Sequence, residues 1–281
     1  MSVVKEMTRM FSDAKTVESP TLNRLGAQPF RAIMARLLYK LRPGNSDPLN
    51  VELSRTGLIV CEDFLPPTLF DAIDREADEF IALTEPTWLI YSDKAEIRRH
   101  SLTQVDAERF PELARWRADQ RLATLAAAAE RRRYPVFFDG GALVEQLTVE
   151  DYSEPYGDTQ LHVDTFFDTH KMWLYLDAVT TANAAFVYVP GSHLLDSVRL
   201  RHEYRESTTA NRMSRRVSED EVRDRGLKLR VVECRRNTLV VANTCGYHCR
   251  SVGERGGSRR SLHREYRLNP FKVEKWNPFT A

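Results

Sequence analysis

Two residues of the segment QLHVDTFF, His162 and Asp164, are separated by a single residue and could bind one metal ion together. On a strand, side chains two positions apart leave the same face, with Cα atoms about 6.6 Å apart. A further ligand is available in His248, within NTCGYHCRS. Two imidazoles and one carboxylate form the ligand set of non-haem Fe(II) sites, with three coordination positions left open. The spacing therefore predicts a metal centre formed by His162, Asp164 and His248.

A zinc site is the competing interpretation, because Cys245 and Cys249 bracket His248. Structural zinc sites use four Cys or His ligands, usually in two closely spaced pairs, whereas Cys61 and Cys234 stand alone. We therefore expect reduced thiols that pack in the fold. On a strand, Cys249 should point away from the face that carries His248.

An arginine follows the histidine at a fixed distance. Arg259 lies eleven residues after His248, beyond the glycine-rich turn VGERGGS. At the start of a strand, its guanidinium could form a bidentate pair with a carboxylate from the next strand over. Arg260 is the alternative candidate for this role. Strand alternation puts the two arginines on opposite faces, and neither face is plainly apolar.

Short β-strands should position these residues. After Tyr134, short segments rich in Val, Leu, Phe and Tyr are separated by turn residues, among them GALVEQLTVEDY, KMWLYLDAV, AAFVYVPGSH and LRVVECRRNTLVVAN. This pattern predicts a mainly β protein with flanking helices and a double-stranded β-helix core, that is, a jelly-roll or cupin-like fold.

We expect residues 1–50 to form an N-terminal arm and an amphipathic helix, and residues 51–281 to form one jelly-roll domain. In the helix, an apolar stripe should cover the core, or else present a basic surface to an anionic membrane or acyl ligand; the stripe comprises Phe30, Ile33, Met34, Leu37, Leu38 and Leu41. A charged insert at about 197–229 is either a solvated loop or a lid. Its arginines, with Arg250, could attract an anionic substrate; they are Arg199, Arg201, Arg205, Arg212, Arg215 and Arg216.

The charge balance and the distribution of apolar residues argue against several classes of protein. The 281 residues contain 41 basic and 40 acidic side chains, so the net charge of +1 does not indicate a nucleic-acid partner. The sequence shows neither a signal-peptide core nor an apolar run long enough for a membrane span. We therefore expect a cytoplasmic protein without integral membrane association.

The order HVD, YVPGSH, a histidine and then an arginine eleven residues later resembles the phytanoyl-CoA dioxygenase family of Fe(II)/2-oxoglutarate oxygenases. The segment RTGLIVCEDFLPP also resembles the start of that family's fold, so the resemblance covers about residues 50–268. It implies that His162, Asp164 and His248 are the iron ligands. It also favours Arg259 over Arg260 as the partner of the distal carboxylate of 2-oxoglutarate.

The resemblance further implies that Trp173 and Gln146 lie beside this cosubstrate. Two departures concern the same pocket: TTANAAF replaces the usual Asn-Gly turn, and Arg250 stands where the family tends to carry a small hydroxyl residue. Arg250 thus suggests a cationic group near the mouth of the site. Asp164 is intact, whereas related halogenases replace this carboxylate, so halogenation is not expected.

The implied function is oxidation of a small molecule or biosynthetic intermediate, favoured as hydroxylation, with O2 and 2-oxoglutarate as cosubstrates and succinate as a product. Desaturation and cyclisation stay open. A cupin-like metal enzyme that does not use 2-oxoglutarate would share the ligands but would not need Arg259. A non-catalytic jelly-roll binding module would need neither the metal ligands nor Arg259.

Overall fold

The computed structural model describes residues 19–41, 47–129, 131, 141–151, 157–209, 216–267 and 271. The helices are α1 (Pro20–Arg24), α2 (Ala27–Leu41), α3 (Pro48–Thr56), α4 (Pro67–Leu83), α5 (Pro111–Arg117), α6 (Gln120–Ala129), α7 (Ser197–Thr208) and α8 (Glu219–Asp224). Helices α1, α3, α4 and α5 each begin at a proline, whose fixed φ and missing N–H suit the first helical position. None of the helices in these ranges combines the length and apolarity that a bilayer crossing requires.

The strands form a jelly-roll core of two antiparallel sheets. They are β1 (Leu58–Cys61), β2 (Trp88–Ser92), β3 (Ala95–Ser101), β4 (Ala142–Val149), β5 (Thr169–Tyr175), β6 (Phe186–Tyr188), β7 (Arg230–Val232), β8 (Thr238–Asn243), β9 (His248–Arg250) and β10 (Ser258–Arg267). Within the described part of the chain, the large sheet has the order β1-β8-β5-β10-β4-β3-β2, and the small sheet has the order β7-β6-β9. The predicted mainly β fold with flanking helices is confirmed.

The two faces of the large sheet have different neighbours. On the outer face, Met172 and Leu174 of β5 pack in one apolar cluster with Phe70, Ile73 and Phe80 of α4. On the inner face, the alternate residues of β5 face the small sheet across a cavity. The helices therefore bury one face and leave the other free to carry polar side chains.

Helix α2 reverses the expected orientation. Its stripe residues Phe30, Ile33 and Leu37 are exposed, with 48%, 38% and 47% of their surface accessible. The buried positions are instead small or polar, and Arg31 is fully buried at 4.1 Å from the Phe166 ring centroid. The expectation that the stripe covers the core is wrong, because close contact with α7 selects the small-residue face. A surface for a membrane or acyl ligand stays a prediction.

The division at residue 50 also stays a prediction, and α3 spans it. Residues 1–18 of the predicted arm, and Arg212 and Arg215 of the insert, lie outside the described residues.

The described part of the charged insert is docked on the fold and is not a solvated loop. Arg199 pairs with Glu203 at 3.0 Å and donates to the Cys245 carbonyl at 2.9 Å. Glu221 accepts hydrogen bonds from His202, at 3.0 Å, and from Tyr247. These buried contacts tie the insert to the residues that immediately precede His248.

Candidate active site

Backbone pairing aligns the three predicted metal ligands. His162 lies outside the regular strands, but it forms an isolated antiparallel bridge with His248 of β9. The two residues exchange backbone hydrogen bonds of 2.9 and 3.0 Å, and the Asp164 amide donates to the Thr244 carbonyl at 3.0 Å. Residues distant in sequence therefore project their side chains toward one point.

The donor atoms of His162, Asp164 and His248 all lie within 4.8 Å of one another. Each histidine Nδ1 is paired with a backbone carbonyl, that of Gln160 at 2.8 Å or of Gly246 at 2.9 Å. This pairing favours the Nδ1–H tautomer and leaves both Nε2 lone pairs for a metal. The Asp164 Oδ2 atom is buried, and its close charged neighbour is Lys171 Nζ at 2.8 Å. The donor set therefore fits a divalent transition metal such as Fe(II).

Position 246 needs glycine to hold this arrangement. A Cβ atom at Gly246 would collide with the Tyr188 hydroxyl and approach Ser192 Oγ at 2.9 Å. Because the Gly246 carbonyl accepts the His248 Nδ1–H, a displaced backbone here would also turn the imidazole.

The electrostatics of the triad favour metal binding at neutral pH. Burial, reinforced by His162, lowers the pKa of His248 to about 4, so its imidazole is neutral and can act as a ligand. Burial alone would raise the pKa of Asp164, but Lys171 and the two histidines hold it well below its usual range. The carboxylate is therefore ionised.

The triad opens into a cavity of about 320 Å³ between the two sheets. Strand β5 forms one wall, with Lys171, Trp173 and Tyr175 on its inner face. Lys171 contacts Asp164, and the Tyr175 ring centroid lies 5.3 Å from the Arg259 guanidinium carbon. The Cα atoms of residues 171 and 175 are about 13 Å apart at the usual rise of a strand. Trp173 thus lies between the triad end and the Arg259 end of the cavity.

The structure separates Arg259 from Arg260. Arg259 is buried and lines the cavity, where its Nε donates to the carbonyls of Asn183 and Ala184 at 3.1 and 3.3 Å. It forms no ion pair with any described residue. Arg260 points to the outer face and contacts Asp177 at 2.7 Å and Asp74 at 3.0 Å. The position of Arg259 therefore suits a ligand carboxylate, and Arg260 is already saturated by protein acids.

Gln146 requires a correction. It pairs with Arg260 and Arg98 in the sheet register, and it does not line the cavity. The two-residue period of β4 instead turns its neighbours Glu145 and Leu147 inward. The expectation that Gln146 lies beside the cosubstrate is therefore wrong.

Four charged cavity residues, Arg99, Glu145, Asp158 and Lys171, were missed by sequence reasoning. Arg99 Nε donates to Glu145 Oε2 at 2.8 Å. Burial alone would raise the pKa of Glu145, but Arg99, His263 and Arg259 lower it to about 2. The available signal in β4 and β5 was a single charged residue in an otherwise uncharged strand, whereas β3 carries several charged residues and gives no such signal.

Arg250 lines the cavity, as its departure from the family pattern suggested. Its Nη2 donates to the Ser92 carbonyl at 2.7 Å and to the Asp93 carbonyl, which ties β9 to the turn between β2 and β3. Two of the insert arginines in the described residues are engaged elsewhere: Arg205 pairs with Glu206 and Glu221, and Arg216 donates to backbone carbonyls. The cationic character of the cavity therefore comes from the sheets.

The cysteines do not belong to the cluster of metal-binding donors found among the described residues. Cys249 also touches the cavity wall, but it packs in the apolar cluster that includes Leu161, Val163 and Tyr247, as expected for the face of β9 opposite His248. Burial raises the pKa of its thiol to about 11, so the thiolate that a metal requires is disfavoured.

Comparison with known proteins supports this assignment of the fold. The solved epimerase SnoN in complex with Fe3+, alpha ketoglutarate and nogalamycin RO superposes with a TM-score of 0.54 at 16% identity, over 82% of this chain and 90% of that one. AviO1 from Streptomyces viridochromogenes Tue57 gives a TM-score of 0.51 at 18% identity, over 84% and 98% of the two chains. These similarities show a shared fold. No curated protein matches the chain significantly.

The family model for phytanoyl-CoA dioxygenase (PhyH) matches residues 53–233. The match includes His162 and Asp164, and it ends before His248 and Arg259, which the fold brings to the same cavity. The chain belongs to the phytanoyl-CoA dioxygenase family of iron- and 2-oxoglutarate-dependent enzymes.

Proposed function

We propose that this protein is an Fe(II)/2-oxoglutarate-dependent oxygenase that hydroxylates a small molecule, with His162, Asp164 and His248 as the iron ligands. The observation that carries the proposal is the convergence of these three side chains at one end of a cavity whose other end holds the buried Arg259. Bound iron would supply O2 activation coupled to decarboxylation of 2-oxoglutarate, which yields succinate and CO2. One oxygen atom of O2 enters succinate and the other enters the substrate.

The roles of the protein side chains follow from their positions. Arg259 would bind the distal carboxylate of 2-oxoglutarate through its guanidinium, which forms no direct ion pair with an acid in the described part of the chain. Trp173, which lies 5.0 Å from Phe186 between ring centroids, would form an apolar wall beside the cosubstrate. A neutral His248 needs no deprotonation before it binds the metal.

The substrate would lie against the remaining wall of the cavity. Ile90, Ile97 and Leu147 form an apolar patch there, and Arg99 and Arg250 provide polar contacts. This composition suits a small molecule with an apolar part and with hydroxyl or anionic groups. A wall with both apolar and charged residues could select a substrate by shape as well as by charge.

The test is an anaerobic titration of metal-free protein with Fe(II) and 2-oxoglutarate, monitored by the weak visible charge-transfer band of the chelate. We expect the band in the wild type and its loss in His248→Ala. The control is His100→Gln, since His100 bonds Thr84 on the helical side of the sheet and should leave the band unchanged. Bound iron without a band would favour a metal enzyme that does not use 2-oxoglutarate, and absence of iron binding would favour a non-catalytic binding module.

Hydroxylation itself is tested by mass spectrometry of candidate substrates after turnover. A product that gains one oxygen atom is the expected result. A product that loses two hydrogen atoms would contradict hydroxylation and indicate desaturation or cyclisation by the same site.

A further inference from the structure

A cation contacts the triad. Lys171 Nζ lies 2.8 Å from Asp164 Oδ2, the oxygen that is 3.8 Å from His248 Nε2. Lys171 is on the inner face of β5, and its partner in the β10 register is Glu265. The ammonium therefore sits beside the carboxylate oxygen that faces the metal position.

The sheet fixes the position of the strand that carries Lys171. Lys171 is a mid-strand residue of β5, hydrogen-bonded on both sides by β8 and β10, and 19% of its side chain is accessible. Its neighbour two positions along, Trp173, packs against Phe186 and His263. A side chain rooted in the centre of the sheet has little freedom to leave the triad.

The contact between Lys171 and Asp164 changes the net charge around the metal position. Lys171 offsets part of the negative charge of Asp164, and Glu265 also acts on Lys171 from the neighbouring strand. A bound dication would therefore lose less of its charge to its carboxylate ligand than it would without the lysine. Electrostatic repulsion from an ammonium at this distance opposes the metal. An anionic ligand that binds the metal experiences the opposite effect, because the same ammonium attracts it.

We propose that Lys171 weakens the binding of metal alone and strengthens the binding of 2-oxoglutarate to the metal-loaded protein. The inference rests on the proposed function and identifies Lys171, through its contact with Asp164, as a residue that sets the charge beside the metal position.

The test measures dissociation constants by anaerobic calorimetry, first for Fe(II) or Co(II) alone and then for 2-oxoglutarate at saturating metal. For Lys171→Met we expect about tenfold tighter metal binding and about tenfold weaker 2-oxoglutarate binding, because one nearby unit charge is removed from its interaction with each ligand. Lys171→Arg keeps the charge and should preserve both constants within about threefold. Lys228→Met, at an exposed position, is the matched control and should change neither constant.

Other outcomes would overturn the inference. Weaker metal binding in Lys171→Met, with 2-oxoglutarate binding unchanged, would mean that Lys171 only supports the conformation of Asp164. Unchanged constants in a folded Lys171→Met variant would remove its role altogether, and Lys171→Gln provides a second neutral variant if Met impairs folding. If wild-type protein binds metal but not 2-oxoglutarate, the proposed function fails. If it binds both ligands and Lys171→Met changes neither constant, only the inference about Lys171 fails.

Discussion

The two faces of strand β10 place neighbouring arginines in opposite situations. On the outer face, Arg260 is surrounded by Asp177, Asp74 and Asp78, so its charge is satisfied by the protein. On the inner face, Arg259 donates to two backbone carbonyls and forms no ion pair with a described residue. A buried cation without an acidic partner is costly unless a ligand supplies one. The difference shows that one face of the sheet stabilises the fold and the other is organised to bind an anion.

The largest effect should come from the inner face. Arg259→Ala removes the proposed partner of the distal carboxylate, so we expect the dissociation constant for 2-oxoglutarate at saturating Fe(II) to rise about 100-fold. The measurement is titration of the visible chelate band. An unchanged constant would break the comparison between the two faces, because Arg259 would then have no ligand role.

The matching change on the outer face should act on stability. Arg260→Ala leaves Asp177 and Asp78 without this cation and Asp74 with Arg236 alone. We expect the free energy of unfolding to fall by about 1–3 kcal/mol. Denaturant unfolding measures this loss. The affinity of the variant for 2-oxoglutarate should stay within about threefold of wild type, and a large loss of affinity would contradict the assignment of Arg260 to the outer face.

A pH-dependent comparison uses the adjacent pair on β4, Glu145 inside and Gln146 outside. The pKa of Glu145 is about 2 in the folded protein against 4.5 for an ordinary glutamate, so its ionised form stabilises the fold. That stabilisation is complete above about pH 4.5 and is lost as the pH falls toward 2. Unfolding of Glu145→Gln, followed over this range, should depend less steeply on pH than unfolding of the wild type.

Gln146→Ala is the control for this prediction, because it changes the neighbouring side chain on the other face. It should keep the acid dependence of the wild type. If the stability of both variants depended equally steeply on pH, Glu145 would not be the group that causes the acid dependence.

The smallest effect concerns the two cysteines that flank His248. We expect the double variant Cys245→Ala, Cys249→Ala to bind Fe(II) within about threefold of wild type, since the metal-binding cluster in the described residues contains neither thiol. Cys245 is buried, so some loss of stability is expected from the smaller side chain. Loss of iron from the folded double variant would restore the zinc-type interpretation.

Local sequence was informative wherever a pattern acts over a few residues. The alternation of short apolar segments predicted the β core, and the one-residue spacing of His162 and Asp164 predicted that both side chains could reach one ion. The distance of eleven residues from His248 to Arg259 indicated the arginine that lines the cavity. Each of these inferences depends on strand geometry or on a family order that is written directly in the chain.

Other features were mispredicted because they depend on neighbours. Gln146 was placed in the pocket, although the register with β3 and β10 turns Glu145 inward instead. The stripe that includes Phe30 was expected to be buried, although α2 packs through its small residues and Arg31. Lys171 was missed, because a lysine in a strand carries no local sign of the carboxylate it will contact.

By itself, the sequence determined the family, the jelly-roll class and the residues able to bind a metal, because residue type and short-range spacing define these. Only the tertiary structure decided which charged side chains share the cavity, which arginine is saturated by acids and which face of α2 is exposed. The physical reason is that a buried charge is governed by the groups within a few ångströms of it. In this fold those groups come from strands that are far apart in the chain and adjacent in the sheet.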